Sequence, residues 1–214
     1  MAAPEPPRIY VLAGVNGAGK SSIGGAAFLD KGTEYFNPDE VARRQIAANP
    51  GLSQAEANSA AWHQGARLLK RAIDEGLHFA FETTLGGNTI LRYLTEAAAR
   101  GIEVHVWYVG LASVELHLKR VQARVRRGGH DIPEEMIRHR YERSRLNLIH
   151  LLPRLAALRV YDNSVEADPA AGHEPKPVLV LQMERGKIAG PADLSQTPDW
   201  AKPIVAAALK LNLG

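Results

Sequence analysis

The octapeptide Gly14-Val15-Asn16-Gly17-Ala18-Gly19-Lys20-Ser21 constrains this chain more than any other stretch. It fits the pattern G-x-x-x-x-G-K-[ST] in full. It also stands between a β-rich apolar run, Arg8–Val15, and a helical stretch from about Lys20 to Asp30 that Gly32 can stop. Glycines at these spacings let successive backbone N–H groups turn inward around phosphate oxygens. The helix beginning at Lys20 adds its partly positive N-terminus, which is a poor place for a lysine unless an anion is bound. Lys20 can reach the β- and γ-phosphates, and the Ser21 hydroxyl can ligate Mg²⁺. The nucleotide-contacting set is therefore Gly14, Asn16, Gly17, Ala18, Gly19, Lys20, Ser21 and Ser22, with ATP and Mg²⁺ as the expected ligands.

Strand and helix signals alternate after this loop, which predicts an α/β domain with a mainly parallel sheet. Tyr35–Asn37 reads as a second strand, and Asn37-Pro38-Asp39-Glu40 as an N-cap with Glu40 as its box partner. Ser53-Gln54-Ala55-Glu56 is a capping box opening a long helix that ends near Gly76. Phe79–Thr84 is the third strand. Asn88 is read as the cap of a helix ending at Gly101, Glu103–Val109 as the fourth strand and Arg159–Tyr161 as the fifth. Ser113 caps a basic helix that stops at Gly128-Gly129, and Pro133, Glu134 and Glu135 open a second. Glu166–Lys176 reads as a loop, Val178–Glu184 and Lys187–Ala189 as a hairpin, and Trp200–Leu211 as a closing helix. The expected architecture is a three-layer P-loop kinase fold in one domain, residues 1–214. It carries an Arg-rich helical lid over about 113–150 and a C-terminal hairpin and helix over 177–212.

Two absences narrow the chemistry. No cysteine occurs, so disulfides, thiolate metal sites and cysteine nucleophiles are excluded. The start, MAAPEPPR, has no apolar stretch of signal-peptide length and no later stretch approaches a membrane span, so a cytoplasmic protein with no membrane partner is expected. The formal net charge is only +3, but residues 117–145 hold eight arginines and one lysine against four acids. A local excess of this kind suits a bound polyanion or a solvated basic helix pair.

Motor ATPases and GTPases place an aspartate at the end of an apolar strand to hold Mg²⁺. Val104–Gly110 has no carboxylate, and no Asn-Lys-x-Asp guanine signature occurs. A small kinase is the reading left. Asp39, just beyond the second strand, is the candidate general base; the competing reading is a helix-terminal acid worth about 0.5 kcal/mol. Glu82 lies inside a probable central strand, where an unpaired carboxylate is costly. Either it pairs with a structural arginine, or it accepts from substrate hydroxyls or holds metal-bound water, with Thr83 and Thr84 beside it. Arg120, Arg124 and Arg127 share one helical stripe, and Leu118, Val121 and Val125 an apolar one. Arg138, Arg140 and Arg143 lie on the next helix. The two helices could close over ATP about the Gly128-Gly129-His130 hinge and neutralise charge in the transition state. A nucleic-acid module is the alternative, but residues 117–145 offer only Tyr141 for base stacking besides histidine, so nucleic acid is not the expected partner.

Taken together, Leu12–Ser21, Asn37-Pro38-Asp39-Glu40-Val41-Ala42-Arg43, Phe81-Glu82-Thr83-Thr84-Leu85 and Arg124–Pro133 resemble the zeta-toxin family of P-loop kinases, in particular its short bacterial branch. The resemblance runs from about Arg8 to Ser164. It implies a bacterial phosphotransferase acting on a sugar hydroxyl, with UDP-N-acetylglucosamine as the acceptor of characterised members, and an antitoxin protein as a partner. By motif it puts the catalytic aspartate at Asp39 and the strand carboxylate that contacts substrate at Glu82. The lid arginines fall at Arg127 and Arg140, with Arg124 as a rival. Arg43, Thr83 and Thr84 join Glu82 as acceptor-side residues.

Overall fold

The computed structural model describes residues 5–20, 35–165 and 176–212. Among them are seven strands in one sheet: β1 (Arg8–Ala13), β2 (Tyr35–Phe36), β3 (Phe79–Thr83), β4 (Glu103–Gly110), β5 (Ala157–Asp162), β6 (Val178–Glu184) and β7 (Lys187–Gly190). The helices described are α1 (Pro38–Ala48), α2 (Gln54–Glu75), α3 (Asn88–Ala99), α4 (Val114–Arg126), α5 (Glu134–Leu151) and α6 (Lys202–Asn212). The strand order is β2-β3-β1-β4-β5-β6-β7. The first five run parallel, and β6 and β7 return antiparallel. The mainly parallel α/β fold with a C-terminal hairpin is as expected. The helix predicted from Lys20, with Ser21 and Ser22 at its start, and the loop over 166–175 lie outside the described residues.

Burial follows the pleat. Ile9, Val11 and Ala13 on β1 face the main core with Phe79, Phe81, Val104 and Val106. That face is covered by Leu69 and Ile73 of α2, Leu94 of α3, Leu148 and Leu151 of α5, and Ile204 of α6. Each fully buried Leu or Ile contributes about 1.5–3 kcal/mol relative to exposure. Tyr10, Leu12 and Ala80 point to the opposite face with Tyr35 and Trp107. A separate cluster joins Val15 of the glycine loop to Val121 of α4 and Ile137 of α5, with Leu118 and Val125 packed on it. The apolar stripe read from the sequence of α4 thus clamps that helix to the glycine loop.

Three local expectations are corrected. Gly87, with extended φ −105° and ψ 160°, occupies the N-cap of α3, and Asn88 is its first helical residue. The Asn88 side-chain oxygen instead accepts from Arg143 Nη2 at 2.8 Å. Asn37 caps α1 by accepting from the amides of both Asp39 and Glu40, at 2.9 and 3.3 Å, without a reciprocal bond from the Glu40 side chain among the described residues. The Arg120–Arg124–Arg127 stripe does not act as one unit, because its three guanidinium groups go to three different places, as set out below. The capping box at Ser53 and Glu56 forms as read, and Gly76 ends α2 in the left-handed region at φ 64°.

Candidate active site

The parallel strands β1, β3 and β4 all end their carboxyl edges beside the glycine loop, where open α/β sheets bind ligands. The loop is held at both ends. The Gly14 amide donates to the Thr83 carbonyl at 3.2 Å. Gly14 has φ 144°, and a Cβ there would lie 2.3 Å from the Val109 carbonyl oxygen, so strand β4 admits no side chain. Gly19, at φ 81°, lies against Asn163, whose Nδ2 would meet an added Cβ at 2.3 Å. That same Nδ2 donates to the Ala18 carbonyl at 2.8 Å. These conformations are open to glycine and strained for other residues. Such turns let successive backbone N–H groups face inward, so the residues present fit a nucleotide phosphate.

Lys20 is buried and donates to the Gly14 carbonyl at 2.7 Å, with Glu82 Oε1 at 3.4 Å. The other Glu82 oxygen accepts from the Tyr35 hydroxyl at 3.0 Å and from Asn37 Nδ2 at 3.2 Å. Burial first, then the Glu82 carboxylate, pushes the Tyr35 phenol well above its ordinary range, so Tyr35 stays a donor. Glu82 is therefore a hub that ties the loop lysine to β2 and to the cap of α1. The sequence pointed to Glu82 as a burdened carboxylate; its partners Tyr35 and Asn37 were not anticipated.

Asp39 stands in the first turn of α1, partly exposed, with its Oδ2 3.9 Å from Arg124 Nη1. Arg124 Nη2 donates to the His130 carbonyl at 3.2 Å, and its Nε is buried with no partner among the described residues. Arg124 thus spans from the turn between α4 and α5 to Asp39. Arg120 Nη2 instead donates to the Asn163 carbonyl at 2.8 Å. Arg127 is an exposed C-cap of α4 and does not line the cavity; Arg43 is likewise exposed on α1 and outside it. Arg140 of α5 does enter: its Nη1 donates to Asn16 Oδ1 at 2.8 Å, and its stem lies across Gly86. Burial lowers the Arg140 pKa from its ordinary value while the field of Asp39 opposes that shift.

A second grip on Asn16 was missed from sequence. His117 of α4 is buried, and its Nδ1 lies 2.8 Å from the Asn16 carbonyl oxygen. Desolvation pushes the His117 pKa down to about 4, so the ring is neutral and Nδ1–H donates. Helices α4 and α5 therefore hold the same loop residue. The stacking aromatic that a nucleic-acid surface would need is also engaged: the Tyr141 ring carries Arg145 4.3 Å above its centroid and meets the edge of His117.

These groups face one cavity of about 890 Å³, lined at the loop end by Asn16, Lys20, Asp39, Glu82 and Arg140, with Thr83 and Thr84 beside them. Thr83 Oγ1 accepts from the Leu85 amide at 3.0 Å, and the Thr84 carbonyl accepts from Ser144 at 2.7 Å. Ser21, the expected Mg²⁺ ligand, lies outside the described residues. Among those described, no three His, Asp or Glu side chains cluster as a metal cage. The donor set, two separated carboxylates beside a phosphate loop, fits an ion that keeps water and phosphate oxygens in its shell, as Mg²⁺ does. No described helix is long and apolar enough to cross a membrane.

Residues 1–167 match the family model described as Zeta toxin. An uncharacterised protein of Haemophilus influenzae is 34% identical over 129 residues, covering 60% of this chain and 88% of that one. Among solved structures, the AvrRxo1-ORF1:-ORF2 complex with ATP aligns with TM-score 0.64 at 18% identity over 96% of this chain. This chain spans 64% of that one's length. A structure from the PezAT chromosomal toxin-antitoxin system of Streptococcus pneumoniae aligns with TM-score 0.57 at 14% identity, covering 100% of this chain and 89% of that one. At such identities the structural likeness establishes the fold.

Proposed function

This chain belongs to the zeta toxin family and has a P-loop phosphotransferase fold, and from that premise we propose that it moves the γ-phosphoryl group of Mg·ATP to a hydroxyl of a small molecule. The observation that carries the reading is the convergence of Lys20, Asp39, Glu82 and Arg140 on one cavity at the carboxyl edge of the sheet, beside the glycine loop. A neighbour of the same fold was solved with ATP, which supports the choice of nucleotide.

In this reaction the acceptor oxygen bonds to the γ-phosphorus. The bond from that phosphorus to the β–γ bridging oxygen breaks, and ADP leaves with the electron pair. The hydroxyl proton passes to the Asp39 carboxylate. Lys20 and Arg140 offset negative charge on the phosphoryl oxygens, and the backbone N–H groups of Gly17–Lys20 cradle the phosphates. Glu82 keeps Lys20 aimed at the loop and, with Thr83 and Thr84, is assigned to the acceptor side; Arg43, exposed and outside the cavity, is left without a part in it. Arg124 holds the hinge near Asp39, and Arg127 has a part only if the lid closes further. Mg²⁺, held by the triphosphate and the Ser21 hydroxyl, would supply further charge neutralisation. The acceptor that the family resemblance implies first is UDP-N-acetylglucosamine. A cytoplasmic setting and an antitoxin partner belong to the same proposal, the latter because a structural neighbour comes from a toxin-antitoxin system.

Asp39→Asn tests the reading. It keeps size and cap geometry and removes the proton acceptor. Folding and ATP binding should persist while phosphoryl transfer falls by about 10²–10⁴-fold. A stable variant that forms phosphorylated product at the wild-type rate would reduce Asp39 to a helix-terminal acid.

A further inference from the structure

Helix α5 carries a polar seam that the reaction scheme leaves unused. Arg140, Ser144 and Asn147 recur at i, i+4 and i+7, with Arg143 beside them, so they share one face. Ser144 and Asn147 are 0% and 2% exposed, and neither lines the cavity. Burying such side chains is costly unless they find partners. Both find them in the short segment that joins β3 to α3. Ser144 Oγ donates to the Thr84 carbonyl at 2.7 Å and accepts from the buried Tyr108 hydroxyl at 3.0 Å. Asn147 Nδ2 donates to the carbonyls of Leu85 and Gly87, at 2.8 and 3.3 Å.

The segment needs this hold. The ladder of β3 ends at Thr83, so residues 84–87 lie between a strand and a helix. Leu85 is in the left-handed region at φ 54°, although its side chain is fully buried in the main core. A branched side chain disfavours that conformation, which persists only where its surroundings fix it. The core fixes the Leu85 side chain, and Ser144 and Asn147 fix the carbonyls around it.

The same helix face reaches the glycine loop. Arg140 donates to Asn16 and lies over Gly86, where an added Cβ would stand 2.9 Å from its Cγ. Thr84, Gly86 and Gly87 line the cavity. One face of α5 thus sets the spacing between the loop, which holds the donor phosphates, and the wall, which meets the acceptor. Transfer requires the acceptor oxygen close to the γ-phosphorus and in line with the leaving oxygen. With the wall displaced, water takes the place of the acceptor. Its oxygen bonds to the γ-phosphorus, the bond to the β–γ bridging oxygen breaks, and ADP leaves with the electron pair. The water proton passes to Asp39, and the products are ADP and inorganic phosphate.

We propose that Asn147 and Ser144 are positioning residues for the acceptor. By holding residues 84–87 against the helix that carries Arg140, they direct the phosphoryl group to the acceptor hydroxyl and away from water. The proposal rests on the kinase reading and deepens it.

The test uses the full chain with Mg·ATP and UDP-N-acetylglucosamine, with free sugars and nucleosides as further acceptors. Phosphorylated acceptor and inorganic phosphate are both measured against ADP formed. Asn147→Ala should raise the KM of the acceptor used by about tenfold and the share of ADP formed with inorganic phosphate severalfold, with the KM for ATP within about twofold. The double variant Ser144→Ala/Tyr108→Phe removes both hydroxyls together, strands no buried donor and should shift the same quantities. Ile204→Ala, a fully buried change on α6, should lower the melting temperature and leave that share alone. An unchanged acceptor KM and share in the first two variants would overturn the proposal. So would an equal rise in the KM for ATP, or the same shift from Ile204→Ala. Should Asn147→Ala fail to bind a non-hydrolysable ATP analogue in calorimetry, the double variant decides; failure of both would make the seam a requirement of the fold and overturn the proposal too. A wild-type protein that phosphorylates none of the acceptors would instead remove the kinase reading itself.

Discussion

His117 shows what a single residue adds to the glycine loop and why it was hidden. Its hydrogen-bond partner, the Asn16 carbonyl, lies 101 residues away in sequence. Asn163 holds Ala18 from 145 residues away and Tyr35 reaches Glu82 across 47. Spacing along the chain cannot reveal such pairs. The loop motif was legible because its geometry is made by consecutive backbone groups, and Glu82 because a carboxylate in a central strand demands a partner. His117 also carries a pH signature. Its pKa is near 6.5 in an unfolded chain and about 4 when folded. Above the unfolded value both states are neutral. As pH falls through this window the unfolded chain takes up a proton that the folded one refuses, so stability is lost. His117→Asn keeps an N–H donor and removes that titration. Melting temperature, followed from about pH 7.5 to about pH 4.5, should therefore fall less steeply for the variant than for the wild type. Equal slopes would mean that the ring is not held neutral.

At the scale of elements, α4 and α5 divide the work in a way that their arginine spacing did not disclose. The apolar stripe of α4 was readable and packs on Val15 as its period required. The basic stripe was readable as a stripe, but its three guanidinium groups meet the Asn163 carbonyl just past β5, the His130 carbonyl and solvent in turn. Side-chain destinations depend on what stands opposite, and that is set by tertiary packing. The cap of α3 was misread for a related reason: Asn88 is drawn to Arg143 of α5, and the extended Gly87 takes the cap position. Only Arg140 among the nominated lid arginines lines the cavity. Arg140→Ala should lower kcat by about 10²-fold with a smaller effect on the KM for ATP, because its role is greatest where charge develops. Arg127→Ala should stay near wild type. Steady-state kinetics on both variants separates them, and a larger loss from Arg127→Ala would show that the lid closes further than it stands here.

At the scale of the whole molecule, the described residues run past 167, where the match to the family model ends. The hairpin β6–β7 and helix α6 follow residue 167, where the family match ends, and they are fastened to the site through Trp200. The Trp200 ring packs on Gly110, where an added Cβ would lie 2.3 Å away, and its Nε1 donates to Asp162 at 3.0 Å. Asp162 precedes the Asn163 that grips the glycine loop. The hairpin and closing helix were readable from their turn and period, but this attachment was not, since it depends on a bare glycine at the end of β4. Trp200→Ala should cost about 3–5 kcal/mol in chemical denaturation; a loss below about 1 kcal/mol would mean that the C-terminal segment is not a brace. The account of the molecule as a phosphotransferase is tested most directly by following the label of γ-labelled ATP in the presence of accepted hydroxyl compounds, with Lys20→Ala as background. It predicts one label on a small-molecule hydroxyl for each ADP formed, at a rate roughly tenfold or more above that variant. Label released only as inorganic phosphate, at the same rate with or without an acceptor, would contradict it.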